Sequence, residues 1–220
     1  MKFFIIVKKK SQRIKKKNFV KLGKKQLWKH LILELRGQKV FIDTDSKKVI
    51  LDCKKNFPWV TAYPRKKKFI KLEEKQKKSP TLLMVNNFLD NFVKDNNEIV
   101  ICTHVTSPFL KMKTIKQAVR KLKKHDSVTS VTKHQEFSWI TKGKKNIKFF
   151  PINFNPKVVT KTQNLKPIYM SNGSFFIFRK KTFKKHNNRI GSNPYYYELK
   201  FPESVEIDNK EDLNLARKII

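Results

Sequence analysis

Short apolar runs and amphipathic segments take turns along this chain, and their alternation leaves few folds open to it. Phe3 to Val7, FFIIV, is an apolar run that stops abruptly at Lys8, the mark of a buried strand. Leu27, Trp28, Leu31, Ile32 and Leu35 then recur at helical spacing, with Gly37 as the stop. KVFID reads as a second strand, followed by a helix capped at Asp45 or Ser46 and running to about Lys55. WVTAY is a third strand, broken by Pro64, and Leu82 to Val93 is a helix with Pro80 in its first turn. EIVICTHV runs into the turn TSP, Ile115 to Leu122 is helical, and SVTSVT is again a strand. Strands separated by helices need crossover connections, so the predicted fold is α/β, a mostly parallel sheet with helices on both faces.

From Glu136 to Pro167 the pattern loosens into polar, Lys-rich pieces carrying Phe and Pro, which predicts an inserted hairpin or flap within one domain spanning 1–220. GSFFIF resumes the sheet. SVEID is predicted to be its last strand, ahead of a helix capped at Asn209 with Asp212 three residues on. The net charge of +35 points toward anionic partners, yet only seven of the 52 basic residues are Arg and the Lys residues are scattered through every segment. With no recognisable nucleic-acid module, the scatter argues against nucleic acid as the partner and for Lys-covered solvated faces. Cys53 and Cys102 have neither the spacing of a zinc site nor that of a disulfide framework, and no apolar run approaches a membrane span; both features fit a cytoplasmic protein.

Ligands of open parallel sheets bind beyond the carboxyl ends of the strands. Here those ends carry Lys8 to Asn18, Thr44 with Asp45, His104 to Ser107, and Asn172 with Gly173. A loop after the first strand can cradle phosphate through backbone amides and Lys charge, but Lys9 and Lys10 stand where flexible glycines are usual. Glu206 and Asp208 lie two apart on the predicted last strand, so both carboxylates face one way. Such a pair suits Mg²⁺ bridged to substrate phosphates, or equally a solvated strand end beside a capped helix. On spacing alone, both readings stay open.

Taken in order, these segments resemble the acylneuraminate cytidylyltransferase family of CMP-sugar synthetases, which has the Rossmann-like three-layer fold of the nucleotide-diphospho-sugar transferases. VKKKSQ followed by Lys17-Asn18 is similar to the family's first-strand loop, FIDTDSKKV to its second strand end, and CTHVTSPFL to its segment L-Q-P-T-S-P-L-R. SPTLLMVNNFL, QNLKPIYMSNGSFFIF and SVEIDNKEDLNLA match the later blocks, so the resemblance spans essentially the whole chain.

The resemblance implies transfer of CMP from CTP to an acidic, nonulosonic sugar for surface glycan synthesis, with release of pyrophosphate. It assigns Lys8, Ser11, Lys17 and Asn18 to the CTP site, with Lys8, Lys17 and Asp208 catalytic. Thr81 falls by cytosine, Ser107 near the nucleotide, and His104, Gln163 and Asn172 on the sugar side. Glu206 and Asp208 would hold Mg²⁺. A homodimer built on the flap is implied as well. Departures from the family pattern are Lys8 for a loop Arg, Gln12 for a loop Lys, His104 for Gln, Glu206 for Asp, Tyr63 for the Arg before Pro64, and Thr162 for an Arg of the sialic-acid enzymes. They leave room for a second reading, a catalytically impaired relative that binds nucleotide or polyanions.

Overall fold

A computed structural model describes residues 1–75, 79–143 and 146–220. Lys144 and Lys145, inside the predicted insert, lie outside the described residues. The chain runs β1 (Lys2–Val7), β2 (Lys21–Leu22), β3 (Lys25–Gln26), α1 (Leu27–Glu34), β4 (Lys39–Thr44), α2 (Lys47–Asn56), β5 (Val60–Pro64), α3 (Lys67–Lys75), α4 (Thr81–Phe92), β6 (Ile99–Thr103) and α5 (Met112–Val119). It continues through β7 (Ser127–His134), β8 (Trp139–Lys142), β9 (Lys148–Pro151), β10 (Ile168–Arg179), α6 (Lys180–His186), β11 (Pro194–Glu198) and α7 (Lys210–Ile219).

Seven strands form one sheet in the order β11-β7-β10-β6-β1-β4-β5. β10 alone runs antiparallel, between β6 and β7, so the sheet is mostly parallel as the alternation predicts. Alternate side chains of β1 divide the interior into two layers. Phe3, Ile5 and Val7 pack with α1, α2 and α5, while Phe4 packs with Phe88 and the rest of the layer under α3, α4 and α6. Burying both faces of the strand is what its unbroken apolar run encodes. A third, smaller cluster joins Leu22 and Leu27 to Ile207 and Leu213, which seats α7 beside the loop after β1. Asn209 caps α7: its side chain accepts from the Asp212 backbone N–H while Asp212 accepts from Asn209 N–H, the predicted reciprocal pair.

The last strand is a correction. Val205 to Asp208 joins no ladder, and Ile207 N–H donates to the Thr106 carbonyl at 2.8 Å. The sheet instead ends on β11, PYYYE, paired with β7. SVEID has strand composition, but the place beside β7 is taken by β11 and the segment is held instead by Thr106 and the small cluster around Ile207. Its period of two survives, with Ile207 fully buried and Glu206 and Asp208 turned the other way. Both cysteines are buried and unpaired, and burial pushes each thiol up to about 12, which leaves them inert. Among the described residues no helix is long and apolar enough to cross a membrane.

Candidate active site

The strand order reverses across β1, flanked by β4 and β6, and a cleft of roughly 810 Å³ opens there beyond the carboxyl ends of the strands. Lys8, Ser11, Lys17, Asn18, Thr81, His104, Glu206 and Asp208 all line it, although they come from four separate parts of the chain. Five of the protein's 17 carboxylate residues, Asp45, Glu73, Glu74, Glu206 and Asp208, line it too. In a chain of charge +35, acid gathered in one cleft is the unusual feature. By contrast a second cleft, between α5 and β11, presents Arg120, Lys121, Lys123 and Lys124 against Glu198 alone.

The loop after β1 is held by polar side chains rather than by glycines. Asp45 accepts from the Lys9 backbone N–H at 2.6 Å, and the buried Asn18 donates from Nδ2 to the Lys8 carbonyl at 3.0 Å. Lys16 takes the left-handed conformation, φ 54°, and turns the chain into a short 3-10 segment at Lys17–Phe19. That turn aims Lys17 across the cleft, where Nζ donates to the Ile207 carbonyl at 2.9 Å and to Asp208 Oδ1 at 2.8 Å. Arg13 Nη1 lies 2.9 Å from Asp208 Oδ2, so both oxygens of this carboxylate face a cation. Partial burial alone would push the Asp208 carboxyl up, but the Lys17 hydrogen bond and charge, joined by Arg13, outweigh it and hold the group below the usual carboxylate range.

Glu206 is placed differently. Thr106 Oγ1 donates to its Oε1 at 3.1 Å, and His104 Nδ1 lies 3.7 Å from the same oxygen. Gly173, at φ +71°, lets the carboxylate in close: a Cβ there would stand 3.4 Å from Oε2. Among the described residues no cluster of three or more His, Cys, Asp or Glu is arranged to hold a metal. Glu206 and Asp208 alternate out from buried Ile207, Glu206 engaged by Thr106 and Asp208 by Lys17 and Arg13.

Other expected residues lie elsewhere. Ser107 is fully buried beneath the cleft and bonds Ser174 Oγ at 3.1 Å. Asn172 precedes Gly173 and spends its amide on Thr132 Oγ1 and the Ser174 N–H. Gln163 stands exposed in a 3-10 turn after the β8–β9 hairpin, its carbonyl accepting from Gln135 Nε2. One group the sequence reading passed over is Arg65, whose side chain is wholly buried. Nε donates to Asp43 Oδ1 at 2.6 Å, Nη1 to Glu73 Oε2 at 2.8 Å, and Nη2 to the Asp43 carbonyl at 3.3 Å. An Asp at the end of an apolar strand, with an Arg just past the Pro that ends the neighbouring strand, was the available signal.

The family model for cytidylyltransferase matches residues 4–219. The chain belongs to the cytidylyltransferase family. Among curated proteins it is 29% identical over 134 residues to N-acylneuraminate cytidylyltransferase of Streptococcus agalactiae, a match covering 59% of this chain and 31% of that one. N-acylneuraminate cytidylyltransferase A of Danio rerio is 34% identical over 133 residues, covering 58% of this chain and 30% of the relative. The matches thus span under a third of those relatives' own length. Solved structures extend the likeness of fold to the whole chain. The 2-C-methyl-D-erythritol 4-phosphate cytidylyltransferase of Francisella tularensis superposes with a TM-score of 0.69 at 14% identity, over 100% of this chain and 99% of that one. A CMP:2-keto-3-deoxy-manno-octonic acid synthetase complexed with CTP gives 0.64 at 10%, over 99% and 96%. The chain thus belongs to this family by sequence and shares the fold of these solved structures over its whole length.

Proposed function

We propose that this cytidylyltransferase transfers CMP from CTP to an acidic sugar of the acylneuraminate type and releases pyrophosphate. The observation that carries the reading is the cation and carboxylate set on the cleft: Arg13 and Lys17 from the loop after β1 meet Asp208, while Lys8 of the same loop lines the cleft against Glu73. The names of the 29% and 34% identical relatives favour an acylneuraminate acceptor. In the reaction the anomeric hydroxyl oxygen bonds to the α-phosphorus, the bond to the β-phosphate oxygen breaks, and the hydroxyl proton is lost. Negative charge grows on the departing pyrophosphate, where Lys17 stabilises it within a partly enclosed cleft, while Lys8 binds the triphosphate alike before and during the reaction. Asn18 and Asp45 keep the loop backbone in place for this, and Thr81 is offered to the base. Mg²⁺ held by Glu206 and Asp208 would, when bound, add Lewis-acid charge on the phosphate oxygens.

The test is a pyrophosphate-release screen of the four NTPs against a panel of nonulosonic acids and Kdo. CTP with one acidic sugar should turn over and require a divalent cation. Equal use of ATP, GTP and CTP would overturn the reading. CTP binding without turnover on any sugar would favour the impaired relative.

The reading includes a homodimer. All four residues of β8 are exposed, and among the described residues Trp139, Ile140, Phe149, Phe150 and Ile152 are exposed apolar side chains on the β8–β9 hairpin and its flank. A lone two-stranded hairpin is marginal in water, and an apolar patch of this kind marks an interface. Light scattering should give a dimer mass for the parent protein and a monomer mass for the variant carrying Ile140→Glu and Phe149→Glu. A parent that is monomeric at all concentrations removes the dimer from the proposal.

A further inference from the structure

Lys8 enters the cleft on a flexible four-carbon stem, with its side chain 44% exposed, from a loop that has no glycine to shape it. Its one carboxylate neighbour among the described residues is Glu73 of α3, whose Oε1 lies 2.7 Å from Nζ as an ion pair without hydrogen-bond alignment. The other oxygen of Glu73 is taken by Arg65. Arg65 is in turn locked by its neighbours, since Asp43 accepts from two of its nitrogens and the Arg65 backbone N–H donates to the Thr44 carbonyl at 2.8 Å. Phe69, buried at 3% exposure, pins the first turn of α3 into the core and so brings Glu73 over the cleft. The result is a continuous chain from the buried end of β4 to a cation at the cleft surface: Asp43, Arg65, Glu73, Lys8.

We infer that Arg65 and Glu73 are positioning residues for nucleotide binding, with Arg65 fixing and neutralising Glu73 and Glu73 holding the Lys8 ammonium where it meets the triphosphate. The inference rests on the reading of Lys8 as a CTP ligand given above. Chemistry supports both halves of the device. An ammonium has three N–H donors, so Lys8 can keep Glu73 and still donate to phosphate. A carboxylate standing free at that wall would repel a triphosphate, whereas one paired with a buried guanidinium does so far less. Arg suits the buried post because its planar fork serves two carboxylates at once, which a Lys cannot do.

Substitution of Arg65 strands Asp43 in the core, so the test turns on Glu73, which sits at the cleft wall. Glu73→Gln keeps an acceptor for Arg65 and removes the charge that holds Lys8. The KM for CTP should rise about tenfold with kcat within about twofold, because uniform phosphate binding is what is lost. Merely local structural damage would instead lower kcat through a smaller active fraction. Calorimetric CTP affinity should fall in parallel, with the melting temperature nearly unchanged. In a Lys8→Met background, which itself weakens CTP, Glu73→Gln should add less than about a factor of two, the non-additivity expected when one residue acts through the other. An equal penalty in both backgrounds, or a Glu73→Gln enzyme with parental KM, overturns the inference while leaving the function standing. Lys8→Met with unchanged CTP affinity would remove Lys8 from the nucleotide site, and this inference with it.

Discussion

Asp208→Asn should cut kcat by about 10²-fold or more, the scale for losing one preorganised charge at a reacting phosphoryl group, while the protein stays folded. The substitution keeps the shape of the side chain and removes its charge. Three groups would feel it at once: Lys17 Nζ, Arg13 Nη1 and any divalent cation bridging to the triphosphate. Fold survival is expected because the segment is anchored independently. Asp208 N–H donates to Asp212 Oδ2 at 2.7 Å, Ile207 is buried, and the carboxylate itself is 44% exposed, so its ion pairs are screened by solvent. The pH behaviour follows from its lowered pKa. An acid ionised more easily in the folded chain contributes stability above the usual value of 3.8 and loses it as the pH falls through the folded value, so Asp208→Asn should flatten that limb of an acid melt. Glu206→Asp, which restores the residue the family pattern carries, should be tolerated. Full activity in Asp208→Asn, or an unfolded variant by circular dichroism, would show that the carboxylate is a local brace and no part of the metal site.

Lys17→Ala should also lower kcat by on the order of 10²-fold, with CTP affinity changed far less, if its charge acts mainly on pyrophosphate as it departs. The geometry explains why this Lys is singled out in so basic a chain. Its side chain is only 13% exposed, and the left-handed turn at Lys16 and the Ile207 carbonyl fix its direction. Surface Lys residues elsewhere are mobile and interchangeable, and one such residue would be replaced at little cost. Single-turnover measurements separate the two contributions: the chemical step should slow while the CTP titration stays close to the parent. Unchanged turnover would reduce Lys17 to a fastener between the loop after β1 and the segment before α7.

How much of this was readable beforehand differs from one element to the next. β1, β4, β6 and β7 were legible because apolar runs and periods report on local burial, and the cap of α7 was legible because Asn209 and Asp212 satisfy each other within one turn. α3 was missed since Phe69 and Leu72 are nearly lost among lysines, and the aromatic run of β11 was passed over in favour of SVEID. Of the candidate site, the residue types and their order along the chain were available in advance, including Lys8, Lys17, Glu206 and Asp208. What they touch was not. Lys17 meets Asp208 across 191 positions, and Asp43 meets Arg65 only because β4 and β5 lie side by side with their ends in register. Local sequence determined which segments are strands and helices, through hydrogen bonds and faces that close within a few residues. Tertiary structure decided which strand took the edge beside β7, that Glu206 and Asp208 stand on an unpaired segment, and that a buried Arg stands behind Lys8, because those depend on partners that only the folded chain brings together.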